Sequence, residues 1–429
     1  MDEFRYQSGS LFCEGVAMHD LAQAFGTPCY VYSASTLRQH FTRLSTAFAP
    51  VDPLICYSVK CCSNLAILRI LIECGAGMDV VSGGEIFRAL RAGGDPKNFV
   101  YAGVGKSDQE IRYALQQRIG LFNVESEMEF ETLSRIAHET GMSTCAALRV
   151  NPDVDPKTHR YTTTGKRESK FGVDLERALA FFDAYGHDPL VALRGIHLHI
   201  GSPVYSTDPY LESVRKALAL IDELESKGFH VDTLDLGGGF GADYESDQSP
   251  LASDYARVIV PLLQARVDAG LRIILEPGRS IAANAGVLLT KVEYVKKSGD
   301  RNFAICDAGM HTLLRPSHYG AFHFVWPTDP VGALVPPRRA RELVMAGLER
   351  TEVVGPLCET GDFIAEDRML PPLDRGDFLA VFTAGAYGMA MASRYNSHPL
   401  PAEVLVDGDH FRLIRERETY DDLVRHEHR

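Results

Sequence analysis

The chain has 429 residues, with 44 lysines and arginines against 57 aspartates and glutamates, for a formal net charge of -13. This length exceeds what one ordinary core holds, so we expect two domains. The acidic balance argues against nucleic acid or an anionic membrane as a partner, and a small polar substrate stays possible.

The sequence also bears on the cellular compartment. No apolar run approaches the roughly 20 residues needed to span a bilayer, and the first residues lack the basic-then-apolar layout of a signal peptide. The nine cysteines are an odd number without Cys-x-x-Cys spacing, which is typical neither of a disulfide framework nor of a zinc site. We therefore expect a cytoplasmic protein.

The first half of the chain alternates between strand-like and helical patterns. A helix is expected at 18–25 and a strand at 29–32, before eight apolar runs separated by amphipathic segments, at 54–59, 78–81, 99–101, 121–124, 145–150, 193–200, 233–236 and 273–275. Ser107 with Glu110, and Ser126 with Glu129, predict capping boxes at helix starts. Eight strand–helix units predict an α/β fold of the (β/α)8 TIM-type barrel class, with a doubly wound parallel sheet as the alternative.

After residue 279 the sequence predicts strands without regular helices, at 287–295, 302–306, 350–354, 378–382 and 403–406. A proline-rich surface loop is expected at 327–337, and a solvated helix or tail at 415–429. We therefore predict a barrel over residues 37–282. Residues 1–36 and 283–429 are expected to form a second, β-rich domain.

One lysine stands out at the first strand end of the predicted barrel. Lys60 follows the apolar run 54–59, and residues just past the strand ends form the active face of such a barrel. Held among apolar neighbours, its amine can stay neutral enough to attack an aldehyde. A solvated or ion-paired lysine is the alternative.

The later strand ends add a glycine-rich loop at 237–241 and two histidines. Glycines let backbone N–H groups approach an anion, and the loops after strands seven and eight are the usual phosphate site of the fold; a simple tight turn is the alternative. His197 and His199 are expected on one face of one strand, where they could bind a metal. The other strand ends supply no further histidine, so we expect no metal and favour a ring that stacks on a cofactor, or a packed histidine.

These features together fit pyridoxal phosphate. Glu276, at the end of the last strand, is the candidate partner of the pyridine nitrogen, because a carboxylate there keeps the nitrogen protonated and makes the ring a strong electron sink. A structural ion pair is the alternative for Glu276.

The sequence resembles the diaminopimelate decarboxylases, a family in the alanine-racemase-like class of pyridoxal-phosphate enzymes. The resemblance runs over nearly the whole chain and rests on motifs at 57–60 (YSVK), 79–85 (DVVSGGE), 199–202 (HIGS), 237–241 (GGGFG), 276–279 (EPGR), 315–316 (RP), 358–359 (CE) and 386–388 (AYG).

The resemblance implies how the cofactor is held. Lys60 would bind it as a Schiff base, His199 would stack on its ring, and Glu276 would bind its pyridine nitrogen. Ser202 and the backbone of the glycine loop and of Arg279 would hold its phosphate. The implied cofactor-binding residues are Lys60, Asp79, His199, Ser202, Gly238, Gly239, Glu276, Gly278, Arg279 and Tyr387.

The resemblance also implies a substrate, meso-diaminopimelate, and a reaction that releases carbon dioxide and L-lysine, as the last step of lysine biosynthesis. Arg279, Arg315 and Tyr319 would bind the far carboxylate of the substrate. Glu359 would bind its far ammonium, and Tyr387 would face both cofactor and substrate. Catalysis would fall to Lys60, His199 and Glu276, with Cys358 as proton donor. In this family Cys358 and Glu359 come from the partner subunit, which implies a homodimer with shared active sites.

Two alternatives stay open. Ornithine and arginine decarboxylases act on substrates without a second carboxylate, and would have no use for Arg279 and Arg315 converging on one. A non-catalytic relative would not need Lys60, Glu276 and Cys358 together. Departures from the usual family residues at Cys61-Cys62, His311 and Thr360 lie beside matched positions, and leave the pocket's fine shape open.

Overall fold

The computed structural model describes residues 2–156 and 170–428. The chain forms two compact units, one of residues 40–241 and 249–280, the other of residues 1–39, 242–248 and 281–429. The return of residues 242–248 to the second of these units was not among the sequence predictions. The assignment of 37–282 as a cofactor-binding domain stays a prediction.

The unit of residues 40–241 and 249–280 contains a closed barrel of parallel strands. The last strand pairs with the first, Ile274 opposite Leu54, and strand four pairs with strand five, Val124 opposite Leu148. This closure confirms the (β/α)8 barrel and excludes the doubly wound sheet, whose edges stay open. Barrel strands 1 to 8 are Leu54–Ser58, Gly77–Val80, Phe99–Tyr101, Leu121–Val124, Thr144–Asn151, Val191–His197, Thr233–Asp235 and Arg272–Leu275.

Helices separate the strands along the chain. Ser107 and Glu110 form the predicted capping box. At Ser126 only half of the box is present: the serine accepts from the N–H of Glu129, but the Glu129 carboxylate accepts from the N–H of Glu125 and from Lys106 instead. The helices are Ala34–Phe48, Leu65–Glu73, Gly83–Arg91, Asp108–Gln117, Glu127–Thr140, Leu175–Tyr185, Asp208–Ser226, Ala252–Asp268 and Arg279–Ala282.

The barrel interior changes from apolar to polar along the strands. One buried cluster joins Cys56, Val100, Leu121, Ala147 and Ile274 from five strands. Because side chains alternate along a strand, the residues two positions further on face the same interior. Those positions carry polar groups on four of the five strands, namely Ser58, Asn123, Arg149 and Glu276. The barrel thus has an apolar floor and a polar layer at the carboxyl ends of its strands.

The second unit is β-rich, as predicted. Its main sheet runs in the order Phe363–Leu370, Glu349–Val354, Arg301–Cys306, Gly286–Ser298, Cys29–Ser33, Ala402–Asp407 and His410–Arg415, with Phe378–Val381 and Val325–Pro327 beside it. A smaller sheet joins Phe4–Gln7, Ser10–Cys13 and Val16–Ala17, and the helices of the unit are Met18–Phe25, Arg315–Tyr319 and Tyr420–Val424. In the described part of the chain, no helix is both long and apolar enough to cross a bilayer.

Candidate active site

Lys60 lies in a short 3-10 turn, Val59–Cys61, directly after barrel strand 1. Its side chain is 34% exposed, and its Nζ donates to the Asp79 Oδ2 at 2.6 Å. The expected apolar neighbours are joined by a carboxylate on the neighbouring strand 2, as the alternative of an ion-paired lysine predicts. The amine lies at the carboxyl end of the barrel strands, beside Asp79 and partly exposed.

Asp79 is fully buried and also accepts from the Ser58 hydroxyl at 2.6 Å. Burial and the nearby charge of Glu276 raise the pKa of Asp79, whereas Lys60 and Ser58 oppose the rise. Asp79 therefore orients the lysine through a carboxylate that is itself fixed by Ser58.

Glu276 follows barrel strand 8 and is 2% exposed. Burial alone would raise its pKa, but His197, Lys60 and His199 act in the other direction and bring the pKa well below its usual range. The Glu276 Oε2 lies 3.4 Å from the His197 Nε2. A carboxylate that stays ionised inside a barrel can hold a positive charge opposite it, such as a protonated ring nitrogen.

The two histidines differ in position. Strand 6 ends at His197, which is buried beside Glu276, whereas His199 follows the strand and is half-buried. The prediction that both lie on one strand face was therefore wrong, because the strand stops between them. The His199 Nδ1 accepts from the N–H of Gly238 at 3.2 Å. Burial and the charges of Arg149 and Lys60 keep the pKa of His199 well below its usual range, so the ring is neutral.

The glycine loop after strand 7 packs tightly against neighbouring backbone. A Cβ built on Gly238 would overlap the carbonyl oxygen of Glu276, and one built on Gly239 would overlap that of Gly201. Gly239 also has a φ of +97°, in the left-handed region that favours glycine. The loop thus needs glycines for close approach to the neighbouring backbone, and its role as an anion cradle stays a prediction.

Arg279 and Ser202 meet near the same end of the barrel, where the Arg279 Nε donates to the Ser202 Oγ at 3.1 Å. Arg279 is 5% exposed. A Cβ on Gly278 would overlap the Cys61 Sγ. Cys61, an unusual residue for the family at this position, therefore packs directly against Gly278, one of the predicted cofactor-binding residues.

In the second unit, Arg315 begins the helix Arg315–Tyr319 and is buried. Its guanidinium carbon lies 5.0 Å from the Tyr244 ring centre and 5.9 Å from that of Tyr319, and its Nε donates to the His323 Nε2 at 3.3 Å. Aromatic rings and one imidazole therefore fix the direction of this cation.

Cys358 and Glu359 are both exposed in the second unit. The N–H of Cys358 donates to the Asn396 Oδ1 at 3.4 Å, and the Glu359 Oε2 accepts from the Tyr395 hydroxyl at 3.1 Å. Tyr387 is half-buried and has a φ of +57°, an uncommon value for a tyrosine. An exposed thiol and carboxylate at adjacent positions suit contact with a molecule outside the chain.

A family model for the pyridoxal binding domain of pyridoxal-dependent decarboxylases matches residues 34–283. A diaminopimelate decarboxylase of Aquifex aeolicus is 46% identical over 98% of this chain and 96% of the relative. A crystal structure of the Helicobacter pylori diaminopimelate decarboxylase complexed with L-lysine is 40% identical, covers 95% of this chain and 98% of that one, and superposes with a TM-score of 0.87. The M. jannaschii diaminopimelate decarboxylase in co-complex with L-lysine is 35% identical, covers 99% and 97%, and gives 0.90. The chain belongs to the diaminopimelate decarboxylase family.

The cofactor of this family is pyridoxal phosphate, and the barrel residues fit it. The Lys60 amine is accessible, the Glu276 carboxylate is ionised and buried, and the loop around Gly238 has room only for glycine. The Asp79 Oδ1 and the Ser280 hydroxyl are buried without a hydrogen-bond partner. Such polar atoms are costly to leave unpaired and are common where a ligand binds.

One set of residues at this site meets the spacing of a metal centre. Among residues 2–156 and 170–428, His197, Asp235 and Glu276 place ligand atoms within 4.8 Å of one another. The two carboxyl groups have another partner, because Asn123 donates a hydrogen bond to each of them. The expectation that the site holds no metal stays a prediction.

The sequence interpretation missed Asn123 and Asp235 as parts of the site. Both are fully buried and both contact Glu276. A signal was present, since Asn123 is the one polar residue of an otherwise apolar barrel strand and Asp235 is a carboxyl group at the end of another. In a parallel sheet covered on both sides, such a residue has to face a polar partner inside the barrel.

Proposed function

We propose that this chain catalyses the decarboxylation of meso-2,6-diaminopimelate to L-lysine and carbon dioxide, the last step of lysine biosynthesis. The observation that carries the proposal is the ionised, buried Glu276 within electrostatic reach of the accessible Lys60. The substrate is inferred from the relatives, which are named for this activity, and from the L-lysine complexes of two of them.

The barrel residues have distinct parts in the chemistry. Pyridoxal phosphate, when bound, supplies an electron sink for the pair of electrons that carbon dioxide leaves behind. Lys60 holds the cofactor, His199 lies against its ring, and Glu276 provides the negative charge that keeps the ring nitrogen protonated. Because Glu276 is ionised before substrate arrives, this charge needs no rearrangement during the reaction.

The cofactor phosphate is assigned to the loops beyond strands 6, 7 and 8. Arg279 and Ser202 already contact each other there, and the glycine loop lets backbone approach an anion. The residues assigned to the cofactor are Lys60, Asp79, His199, Ser202, Gly238, Gly239, Glu276, Gly278, Arg279 and Tyr387.

Substrate selection is assigned to fixed charges. Arg279 and Arg315, with Tyr319, bind the far carboxylate, Glu359 binds the far ammonium, and Tyr387 faces substrate and cofactor. The rings around Arg315 fix its guanidinium in advance, which lowers the entropy lost when a carboxylate binds. The Cys358 thiol gives its proton to the carbon from which carbon dioxide has left.

We further propose a cytoplasmic homodimer in which Cys358 and Glu359 serve the partner's site. Their exposure supports this role, since both can reach another subunit without rearrangement of the core. All nine cysteines lie in the described residues, and none of them forms a disulfide there, which suits a reducing compartment.

The test is release of carbon dioxide and L-lysine from meso-diaminopimelate by the purified holoenzyme, with ornithine, arginine and lysine as competing substrates. Stoichiometric formation of both products supports the proposal. Efficient turnover of ornithine or arginine instead would favour a decarboxylase of another basic amino acid. Tight cofactor binding without turnover of any of them would favour a non-catalytic relative.

A further inference from the structure

Glu276 belongs to the buried polar layer of the barrel, and two polar residues beside it have no assigned role. Asn123 on barrel strand 4 and Asp235 on strand 7 are both fully buried. Burying an amide and a carboxyl side by side is costly unless each is hydrogen-bonded. The contacts of the two residues therefore indicate what they do.

The Asn123 amide joins two acids. Its Nδ2 donates to the Asp235 Oδ2 at 3.1 Å and to the Glu276 Oε1 at 3.2 Å. An NH₂ group has two hydrogens, so these two acceptors use both of them. The backbone carbonyl of Asn123 accepts from Lys106 Nζ at 2.8 Å, which helps to hold the strand end in place.

Asp235 has one oxygen committed to the backbone. Its Oδ1 accepts from the N–H of Gly237, the first glycine of the loop, at 2.9 Å. Ligand oxygens of Asp235 and Glu276 lie within 4.8 Å of each other, and the Asn123 amide lies between the two acids as their shared donor. Two carboxylates cannot form a hydrogen bond with each other unless one of them carries a proton.

The charges around the pair decide which acid is protonated. Burial and the charge of Glu276 raise the pKa of Asp235 well above its usual range. The pKa of Glu276 lies below its usual range, because His197, Lys60 and His199 outweigh its burial. These two directions favour Asp235 as the protonated acid and Glu276 as the charged one.

We propose that Asp235 and Asn123 are positioning residues for Glu276: Asp235, protonated at Oδ2, donates to the Glu276 carboxylate, and Asn123 donates to both acids. This arrangement would leave Glu276 as the ionised carboxylate presented to the cofactor. It would also couple Glu276 to the glycine loop through Gly237. The inference rests on the proposed function for its importance to catalysis, but not for the location of the proton.

The other titratable groups around Asp235 come from several strands. Cys56 of strand 1 interacts electrostatically with both Asp235 and Glu276. Asp79 of strand 2 interacts with Glu276 and with Lys60. His197 of strand 6 lies against the opposite oxygen of Glu276. Lys60 and the His197 ring both act on Glu276 to favour its charged form, which supports the assignment of the proton to Asp235.

The location of the proton can be measured without any turnover. Infrared spectroscopy of holoenzyme labelled with carbon-13 aspartate should show, at pH 8, a C=O stretch of a protonated aspartic acid. The band should be absent from Asp235→Asn and present in Asp222→Asn, a matched control that removes an exposed carboxylate. If the Asp235→Asn protein kept the whole band, or if the unmodified protein showed no band, the proposal would be wrong.

Variants then test the positioning role. Asp235→Asn keeps a hydrogen-bond donor toward Glu276, so it should restore most of the kcat that Asp235→Ala loses. Asn123→Asp places a third acid beside the pair. It should add a transition near neutral pH to the titration of the cofactor absorbance. It should also lower kcat, by at least about tenfold for each unit by which the pKa of Glu276 changes. An unchanged pH profile in Asn123→Asp, with the variant folded by circular dichroism, would overturn the role.

The two proposals fail separately. If meso-diaminopimelate is not a substrate, the aspartic acid band and the absorbance titration still report where the proton lies. If meso-diaminopimelate is turned over but Asp235 proves ionised at pH 8, the proposed function stands and this inference is wrong.

Discussion

Two lysines near the active end of the barrel differ in what holds them. The Lys106 side chain is 1% exposed and donates to Gly103 O, Asn123 O and the Glu129 carboxylate, all within 2.8 Å. Lys60 is one-third exposed, beside Asp79. An amine with three buried acceptors is fixed as a structural cation, whereas a partly exposed amine beside a carboxylate can react.

Borohydride reduction of the holoenzyme should therefore fix the cofactor to the peptide that contains Lys60. Peptide mapping by mass spectrometry reads the label. Lys60→Ala should remove it, and the matched variant Lys227→Ala, at an exposed surface lysine, should not. Label on Lys106 or Lys170 would contradict the assignment of Lys60.

Arg315 should set the preference for a substrate with a second carboxylate. We expect discrimination against lysine and ornithine of roughly 10⁴-fold in kcat/KM, because a fixed cation is left without its partner when the carboxylate is missing. Arg315→Ala should erase much of this ratio by slowing diaminopimelate turnover.

Arg350→Ala is the matched control, since this arginine is exposed in the same unit and pairs with Asp367. It should leave the ratio unchanged. If the unmodified enzyme used ornithine as efficiently as diaminopimelate, Arg315 would not select a carboxylate.

Individual residues also show how far sequence reasoning reaches. Lys60 and Glu276 could be found because each ends an apolar strand, where a charged residue is conspicuous. Asn123 and Asp235 were missed because a polar residue in a strand does not by itself indicate which residue of another strand it contacts. The partner lies 112 residues away for Asn123 and Asp235, and only closure of the barrel brings such residues together.

At the scale of elements, the glycine loop depends on its neighbours' backbone. Gly238 donates to His199, and a Cβ on it would overlap the carbonyl oxygen of Glu276. The loop, His199 and the end of strand 8 therefore pack against one another, and a methyl group on Gly238 would push against the backbone of Glu276.

Gly238→Ala should weaken pyridoxal phosphate binding by at least about tenfold, equal to about 1.4 kcal/mol. The measurement is a fluorescence or absorbance titration with the cofactor. Gly105→Ala is the control, because a Cβ there meets nothing within 4 Å. Equal affinities for the two variants would show that the loop does not need its glycine at 238.

Glu85, in the first turn of the helix Gly83–Arg91, makes the stability of the fold depend on pH. Burial raises the pKa of Glu85 from 4.5 to about 7, although the N–H of Val81 opposes the rise. Between those values the folded protein holds a proton that the unfolded chain has released, so stability falls as the pH rises and stays lower above pH 7. After allowance for solvent screening, the cost is about 1–2 kcal/mol.

Glu85→Gln should remove most of this fall, because the amide keeps an acceptor for Val81 but cannot ionise. Urea denaturation at pH 5 and pH 8 measures the difference for each protein. Glu110→Gln is the control, because the N–H of Gly83 holds the pKa of Glu110 below its usual value of 4.5, so this carboxylate is ionised at both pH values and its removal should leave the difference nearly unchanged. A pH dependence unchanged in Glu85→Gln would assign the fall to other groups.

Elements with regular burial were predictable and irregular ones were not. All eight barrel strands and the five predicted strands of the β-rich unit are present, because their apolar runs are long and bounded. The strand Phe363–Leu370 was missed since Glu366, Asp367 and Arg368 interrupt its pattern at an irregular pairing, where Asp367 has a φ of +57°. His410–Arg415 was missed as an exposed strand at the sheet edge.

At the scale of the whole molecule, the proposed residues divide between the two units. Lys60, His199 and Glu276 belong to the barrel unit, whereas Cys358 and Glu359 belong to the β-rich unit and are exposed. Sequence patterns alone could not predict which subunit supplies Cys358, because periodicity describes a single chain. That assignment came from the family resemblance and needs a test of its own.

Subunit exchange supplies this test. If Lys60 and Cys358 of one site come from different subunits, Lys60→Ala and Cys358→Ala proteins, each nearly inactive, should rescue each other when mixed. In each mixed dimer one site carries both changes and the other carries neither. Random exchange makes about half of the dimers mixed and leaves about a quarter of all sites intact, so activity should rise toward that fraction.

The control mixes Lys60→Ala with a double variant, Lys60→Ala and Cys358→Ala, in which no arrangement of subunits restores Lys60. It should show no recovery. Exchange itself is followed by mass spectrometry of isotopically labelled subunits. If mixed dimers form and activity stays at the level of the single variants, then each site takes its lysine and its thiol from one chain, and Cys358 serves its own barrel.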